Sequence, residues 1–410
     1  MNKYFYVFLT LLALFSFLGG LLVGCTPAPR LNESKTWQKT YGGTGFDGAQ
    51  CIQQTNDGGY ITVGWTDSFG SGGYDGYVLK LDGSGELEWQ RTFGGSQDDW
   101  FNCVRQTSDG GYIGVGWTYS YGEGLADVYV VKLDRNGEVT WQKTYGGNGF
   151  DEGYSVEQTE DGGFIIVGES NSFVSGPVDV YIVKIDANGD LKCQKTYGSD
   201  GSDEAFCIRK TSDGGYIISG RSDSQNTGMY DAYILKLNEE GIVEWGKTFG
   251  GDDWDEARSI CQTNDGGYIA VGITNSFDSE WDAYAFKIDA NGTLQWQNHF
   301  GGTGSDEAHD VCQTSDNSYM IAGVTYSFGS GGDVYLLRLG EDGNLRWVKT
   351  YGGSTLDEAN SICHTFDDGY IIAGRTDSFG AGLDDFYIMK IDEDGNIEDI
   401  DSIKKHIQEK

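Results

Sequence analysis

Carboxylates return along this chain at fixed intervals, and a ring of hard oxygen donors would suit a cation such as Ca²⁺. One column comprises Asp47, Asp99, Asp151, Asp203, Asp255, Asp306 and Asp357, with Glu152, Glu204, Glu256, Glu307 and Glu358 beside five of its members. A second comprises Asp75, Asp127, Asp179, Asp231, Asp282, Asp333 and Asp385, each two residues before a Tyr. A serine column accompanies them: Ser68, Ser120, Ser172, Ser224, Ser276, Ser327 and Ser378. A residue needed once per repeat also suits a brace, each Asp accepting backbone N–H bonds in its own loop. The first column is therefore both a candidate metal ring and a candidate structural one. Crowding of so many carboxylates raises some of their pKa values.

Positions that break the repeat point to a unique site. After a repeated Gly stand Trp65, Trp117, Glu169, Arg221, Ile273, Val324 and Arg375. Trp100 replaces the Glu of the acidic pair, and Phe101, Tyr119 and Tyr121 lie close by in sequence. Trp65, Trp100, Trp117, Tyr119 and Tyr121 are the candidate ligand-binding residues, because aromatic side chains stack on sugars and anchor peptides at low entropy cost. The alternative is that they fill space between repeats. Arg105, Arg209, Glu157, His309, Asp310 and His364 also differ from their counterparts. No Ser-His-Asp or Cys-His arrangement follows from them, with only four His in the chain. Paired carboxylates for glycoside hydrolysis are so abundant that they assign no catalytic residue.

Cys51, Cys103 and Cys207 share one column, with Ser155 and Ser259 filling it elsewhere. Cys261, Cys312 and Cys363 share a column two residues on. Equivalent positions in neighbouring repeats are expected to lie too far apart for a disulfide, which needs Cα atoms ~4.4–6.8 Å apart. Free, buried thiols are the expectation. Metal ligation is not, without CxxC spacing or adjacent histidines.

Seven copies of one segment position these residues, beginning at Trp37, Trp89, Trp141, Cys193, Trp245, Trp296 and Trp347. A period of about 52 residues marks an array whose units cannot bury their apolar surface alone. One unit holds four short runs rich in β-branched and aromatic residues: 140–145, 154–159, 164–169 and 180–185. Gly, Asp, Asn and Ser clusters separate them, as turns require. With 64 Gly against 3 Pro, bends are free to turn and strands stay intact. The fold class read from this is all-β: a seven-bladed β-propeller over 37–397 with four antiparallel strands per blade. After the last unit no Trp-Gln-Lys-Thr follows, so Trp37 to Tyr41 is expected to complete the last blade and remove open edges. Two connections are short, Thr159 to Gly163 and Asp186 to Gly189. Two are long, Gly146 to Gly153 and Ser170 to Asp179. Alternating strands put the long pair on one face, where propeller function usually resides.

Each unit also carries Lys-Leu-Asp-x-x-Gly-x-x-x-Trp, as at Lys80 to Trp89. This resembles the tryptophan-docking motif of PQQ-type propellers, which implies an outermost Trp strand packed on the neighbouring blade and an innermost strand after it. The family's quinone is not expected, since those enzymes usually have eight blades, a vicinal disulfide and a calcium site. Non-catalytic propeller lipoproteins of outer-membrane assembly form another branch of that group, and this chain resembles them in blade pattern and N-terminus. Asp186 to Asp190 and Asp392 to Asn396 resemble the start of an EF-hand loop but lack its twelfth-position Glu, and a hairpin turn explains them.

At the N-terminus, Lys3 precedes an apolar run from Tyr4 to Val23 and then Leu22-Val23-Gly24-Cys25. The charged start and apolar stretch describe an export signal over 1–24. The last four residues resemble the lipobox of bacterial lipoproteins, which implies cleavage before Cys25, its acylation and palmitate-type anchoring. Residues 25–36 then read as a tether and 398–410 as a tail. The location implied is the cell envelope, at the outer side of the cytoplasmic membrane or at the outer membrane.

With 63 Asp plus Glu against 28 Lys plus Arg, the surface repels nucleic-acid phosphates, so no nucleic-acid partner is expected. The functional expectation is a monomeric, non-enzymatic, membrane-anchored propeller that binds an envelope protein or a glycan on its long-loop face, without a cofactor. The alternatives are a carbohydrate-active hydrolase or lyase and a Ca²⁺-stabilised structural module.

Overall fold

The computed structural model describes residues 36–174, 176–223, 229–277 and 280–397. The apolar run, Cys25 and Ser224 lie outside the described residues.

In the first repeat, β2 (Asp47–Gln54), β3 (Tyr60–Thr66), β4 (Asp75–Leu81) and β5 (Leu87–Phe93) pair antiparallel in that order. The same four-stranded sheet recurs seven times, giving a seven-bladed propeller. We number the blades in chain order, so β2 to β5 are blade 1. The first strand, β1 (Trp37–Tyr41), completes blade 7 by pairing with Asp385–Ile391, Trp37 opposite Lys390 and Tyr41 opposite Phe386. The ring thus closes through its first and last strands, as the missing eighth copy of the Trp strand requires.

Burial follows strand order. β3 and β4 are buried along their whole length, whereas β5 alternates toward solvent. Tyr-Ile-Thr-Val-Gly-Trp-Thr can be buried on both faces because its residues are apolar or self-satisfying. Leu-Glu-Trp-Gln-Arg-Thr-Phe cannot. Each Val, Leu or Ile removed from water between blades contributes about 1.5–3 kcal/mol.

Adjacent blades meet through isolated backbone contacts, such as Asp99 N to Tyr74 O at 2.7 Å and Asp151 N to Ala126 O at 2.8 Å, and three side-chain devices add to them. Each outer-strand Trp lies over the turn Gly of the next blade. A Cβ on Gly85 would come within 2.8 Å of the Trp37 ring, and one on Gly137 within 2.8 Å of Trp89. These glycines also need their positive φ, +78° at Gly85 and +76° at Gly137. At Cys193 the Trp is missing, and the nearest atom to the equivalent Gly241 Cβ is Ile165 Cδ1 at 3.7 Å. A second device is an inner-strand Gln that accepts from a backbone N–H of the preceding blade: Asn56 to Gln106 Oε1 at 2.8 Å, Ser108 to Gln158 at 2.9 Å, and Phe366 to Gln54 at 2.8 Å across the closure. Third, Lys39 and Lys143 ion-pair with Glu86 and Asp190 of the following blade.

The Lys of the Lys-Leu-Asp motif is buried. Lys132 is 5% exposed, and its Nζ meets Leu133 O at 3.0 Å and Asp109 Oδ2 at 3.0 Å. Its Asp partner remains in contact with solvent, which limits the desolvation cost of the pair.

One boundary differs from the sequence expectation. The innermost strand of blade 3 runs Asp151–Gln158, three residues earlier than the run beginning at Tyr154. Asp-Glu-Gly reads as a turn by composition, but a β-bulge lets the strand continue through it.

Candidate functional site at the channel mouth

The bulge recurs in all seven innermost strands. In blade 1, Ala49 pairs with Gly64 and Cys51 with Val63, leaving Gln50 without a cross-strand partner. Gly64 permits this, since a Cβ there would sit 1.9 Å from Gly48 O. The other blades do the same with Asn102, Tyr154, Phe206, Arg258, His309 and Asn360. A bulge re-aims a side chain away from the pleat. All seven side chains line one cavity of about 460 Å³ at the long-loop end of the central channel, together with Glu204, Arg221 and Glu256.

This ring is unlike the repeated Asp and Ser columns of the protein. Its members are Gln, Asn, Tyr, Phe, Arg, His and Asn, at positions the fold makes equivalent. The sequence reading singled out only His309 among them. The signal was present: this column precedes the Cys51 column and changes residue type in nearly every unit. It was hidden because the bulge falls inside a stretch that reads as loop.

Charge around the mouth is ordered by blade. Arg221 bridges Glu204 at 2.8 Å and Glu256 at 3.1 Å. Arg258 bridges Glu256 at 2.6 Å and Glu307 at 2.6 Å. His309 Nε2 lies 3.2 Å from Glu307, while its Nδ1 is 2.9 Å from Ala359 O. On blade 7, Arg375 meets Glu358 at 2.8 Å. A belt of alternating charges therefore spans blades 4 to 7. Against the cost of burial, His309 and Arg258 hold the Glu307 carboxyl down at about 2. Arg221 also lies over Tyr230, Trp254 and Phe206, with centroid distances of 4.5, 5.0 and 5.6 Å.

Blade 3 carries Glu169 where blades 4 and 7 carry arginine. Glu169 stands opposite Glu152 in the sheet, and Tyr154 Oη donates to Glu152 at 2.8 Å. Burial, followed by Glu204 and Glu152, pushes the Glu169 carboxyl up to about 8. It is a neutral acid at physiological pH.

Blades 1 and 2 replace this belt with aromatic rings. Trp65 stacks on Trp100 at 4.9 Å, and Trp100 on Trp117 at 5.4 Å. Tyr119 packs edge-on against Trp117 at 5.2 Å. The structure thus brings together four of the five aromatic candidates. Their faces are turned to one another, however, and Trp65 is only 5% exposed. Tyr121 stands apart against Tyr129, and its hydroxyl donates to Gly94 O at 2.5 Å. The tryptophans form a wedge across the boundary of blades 1 and 2, and none of them lines the mouth cavity.

The aspartate column stands at the first residue of each innermost strand, as seven separate braces of the long loops. Asp47 accepts from Thr66 Oγ1, from Ser68 Oγ at 2.7 Å and from Gly43 N at 2.8 Å. Asp99 accepts likewise from Thr118, Ser120 and Gly95, and Asp357 from Thr376 and Gly353. Asp151, Asp255 and Asp306 each hold a Ser hydroxyl and a Gly amide, and Asp203 holds the Ser199 amide at 3.1 Å. Among the described residues, no three His, Cys, Asp or Glu side chains converge as a metal-ligand group. The second column braces the other long loop, Asp75 accepting from Ser71 N at 2.8 Å. At Asp186 the carboxylate accepts from Asn188 N and Asp190 N, both at 2.8 Å, which is the geometry of a hairpin turn.

Below the mouth, Cys51, Cys103, Ser155, Cys207, Ser259, Asp310 and Ser361 surround a narrow section of about 90 Å³. Asp310 accepts from Ser259 Oγ at 2.6 Å and Ile362 N at 2.9 Å. The thiols of the column are free, as expected, but two of them approach closely. Cys51 and Cys103, in neighbouring repeats, have their sulfurs 4.0 Å apart, because innermost strands converge on the axis. Both are free thiols. A further cavity of about 430 Å³ opens toward the short turns, lined by Arg105, Arg209, Cys261, Cys312, Cys363 and His364 among others.

Comparison with known proteins agrees with this architecture. Residues 314–345 match a domain of unknown function, DUF5122, described as a beta-propeller. The chain is 23% identical over 291 residues to the "Regulatory protein FlaEY" of Caulobacter vibrioides, covering 64% of this chain and 28% of that protein. It thus spans less than a third of that relative's length. In fold it is similar to the WD40 domain of Neurospora crassa Pan2, with TM-score 0.55, 11% identity and coverage of 88% of this chain and 97% of that one. It is also similar to the periplasmic gluconolactonase PpgL of Pseudomonas aeruginosa, with TM-score 0.51, 12% identity and coverage of 83% and 94%. Likeness at this identity concerns the fold alone.

Proposed function

We propose that this chain is an exported, lipid-anchored propeller that binds an envelope protein or glycan at the channel mouth on its long-loop face, without chemical turnover. The observation that carries the reading is the bulge ring. Seven equivalent positions, held by a repeated backbone, present six different residue types to one cavity of about 460 Å³. The aspartates repeat and brace loops, and the variable tryptophans pack on one another, whereas these variable side chains line an open cavity. Tyr154 and Phe206 offer ring surface with centroids 5.8 Å apart, and Gln50, Asn102 and Asn360 offer amides. Such a mixture suits a neutral polar surface, a sugar or a peptide backbone, better than a charged ligand. Glu169, the neutral acid a hydrolase would recruit, is not among the side chains lining the cavity.

The anchor rests on Leu22-Val23-Gly24-Cys25 and the apolar run before it. Mass spectrometry of the N-terminal peptide should find acylated Cys25, and Cys25→Ala should move the protein from the membrane to the soluble fraction. For the site, immobilised protein is challenged with purified envelope glycans and with envelope protein extract. Retention by the wild type and its loss in Tyr154→Ala with Phe206→Ala is the expected result. Retention unchanged by those substitutions would reject the mouth as the site.

A further inference from the structure

We propose that Cys51 and Cys103 are a site of reversible thiol oxidation, closing as a disulfide across the boundary between blades 1 and 2. The sulfurs face each other at 4.0 Å, with the side chains 7% and 4% exposed. A disulfide bond of about 2.05 Å is reached when each side chain advances about 1 Å. The innermost strands supply this proximity, and no other adjacent pair in the column has two cysteines. Cys207 is flanked by Ser155 and Ser259, and Ser155 Oγ lies 3.9 Å from Cys103 Sγ.

The surroundings favour a thiolate on this pair. Arg105 Nη1 stands 3.5 Å from Cys51 Sγ. The Cys51 thiol donating to Cys103, with Arg105 and Arg209 nearby, draws Cys103 below the ordinary thiol range while Cys51 is held well above it. The remaining channel thiols go the other way. Burial raises Cys207 and Cys312, and pushes Cys261 up to about 12. A thiolate beside a resolving thiol, in a channel section that admits small molecules, is the arrangement that oxidation selects.

The oxidant is a small peroxide. The Cys103 thiolate attacks one peroxide oxygen, the O–O bond breaks, and hydroxide leaves and takes up the Cys51 proton. Cys51 sulfur then attacks the sulfenic sulfur of Cys103, the S–O bond breaks, and the second oxygen leaves as water with a solvent proton. Two electrons pass from the two thiols to the peroxide. A thiol reductant reverses the change by thiol–disulfide exchange. The bond would fasten a boundary held by a single backbone contact, Asp99 N to Tyr74 O at 2.7 Å, and by the Trp65–Trp100 stack.

The test uses the full chain carrying Cys193→Ser, which removes the exposed thiol. Reduced protein is treated with hydrogen peroxide, denatured, alkylated and mapped by mass spectrometry. The expected result is a Cys51–Cys103 cross-linked peptide, a loss of two titratable thiols and recovery of both after dithiothreitol. Adding Cys51→Ser should abolish the cross-link and leave Cys103 as a trapped sulfenic acid. Three results would overturn the proposal: both thiols recovered unoxidised, Cys103 driven to sulfinic acid beside an intact Cys51, or Cys103 bonded to Cys207. The map of the parent protein decides the matter even where Cys51→Ser fails to fold.

Discussion

Replacing Glu169 with Gln should make the propeller more stable at neutral pH, and most of all near pH 8. In the folded chain Glu169 faces Glu152 across the sheet, and the Glu204 carboxylate acts on it as well. Burial and those carboxylates raise it from 4.5 to about 8. A carboxyl raised in this way holds its proton more tightly in the folded state than in the unfolded one. Below the unfolded value both states keep the proton, and nothing is lost. As pH climbs from there toward about 8 the unfolded chain ionises first, so stability falls across that window. At ~1.4 kcal/mol per pH unit, the span gives an upper bound of about 5 kcal/mol. Glu204 shares the interaction and Arg221 offsets part of it, so a gain of about 2–3 kcal/mol is expected for Glu169→Gln. Gln keeps the volume and carries no charge at any pH. Urea unfolding followed by tryptophan fluorescence, from about pH 5 to about pH 9, measures both proteins. The wild type should lose stability along this range more steeply than the variant. Parallel curves, or a variant no more stable at pH 8, would refute the reasoning.

Other perturbations test the joints of the ring. Cys193→Trp should fill the open place beside Gly241 and stabilise the fold by about 1 kcal/mol, seen as a higher urea midpoint. Lys132→Met should cost about 1–2 kcal/mol, since the buried ammonium is lost while Asp109 stays solvated. Against burial, Thr107, the Gly111 amide and Lys132 hold Asp109 down at about 2. Its stabilising share is present above pH 3.8 and is lost as pH falls from there through about 2. Carboxyl NMR titration of Lys132→Met should show Asp109 returning upward. Asp99→Ala should cost about 2–4 kcal/mol by orphaning the Gly95 amide and two hydroxyls. In the same melting experiments a chelator should leave the wild-type midpoint unchanged, and a fall would restore the cation reading of the aspartate column.

The blade count and the closure by Trp37–Tyr41 were legible because they depend on periodicity, which a repeat states seven times. The strand order and the tryptophan docking came instead from the resemblance of the Lys-Leu-Asp-x-x-Gly-x-x-x-Trp motif to that of PQQ-type propellers. The mouth was not, because a bulge is a local change of register that leaves no mark in hydrophobic alternation. Gly153 and Tyr154 read as the end of a loop and the start of a strand, while the backbone makes them adjoining members of one strand. The tryptophans misled in a different way. Trp65, Trp100 and Trp117 are departures from the repeat, but their rings satisfy one another. Departure alone does not separate a ligand surface from a local solution to packing. The free thiols were expected, but the 4.0 Å approach of Cys51 and Cys103 was not, since spacing along the chain says nothing of how tightly innermost strands converge.

The central claim, that the bulge ring is where the partner sits, is tested most directly by photo-crosslinking in cells. Gln50 makes no hydrogen bond among the described residues, so a photoreactive phenylalanine analogue there disturbs little. Leu191, exposed on an outer strand, serves as the comparison site. Irradiation should give a discrete adduct, protein or glycan, from position 50 and none from position 191. Adducts from position 191 with none from position 50 would contradict the account.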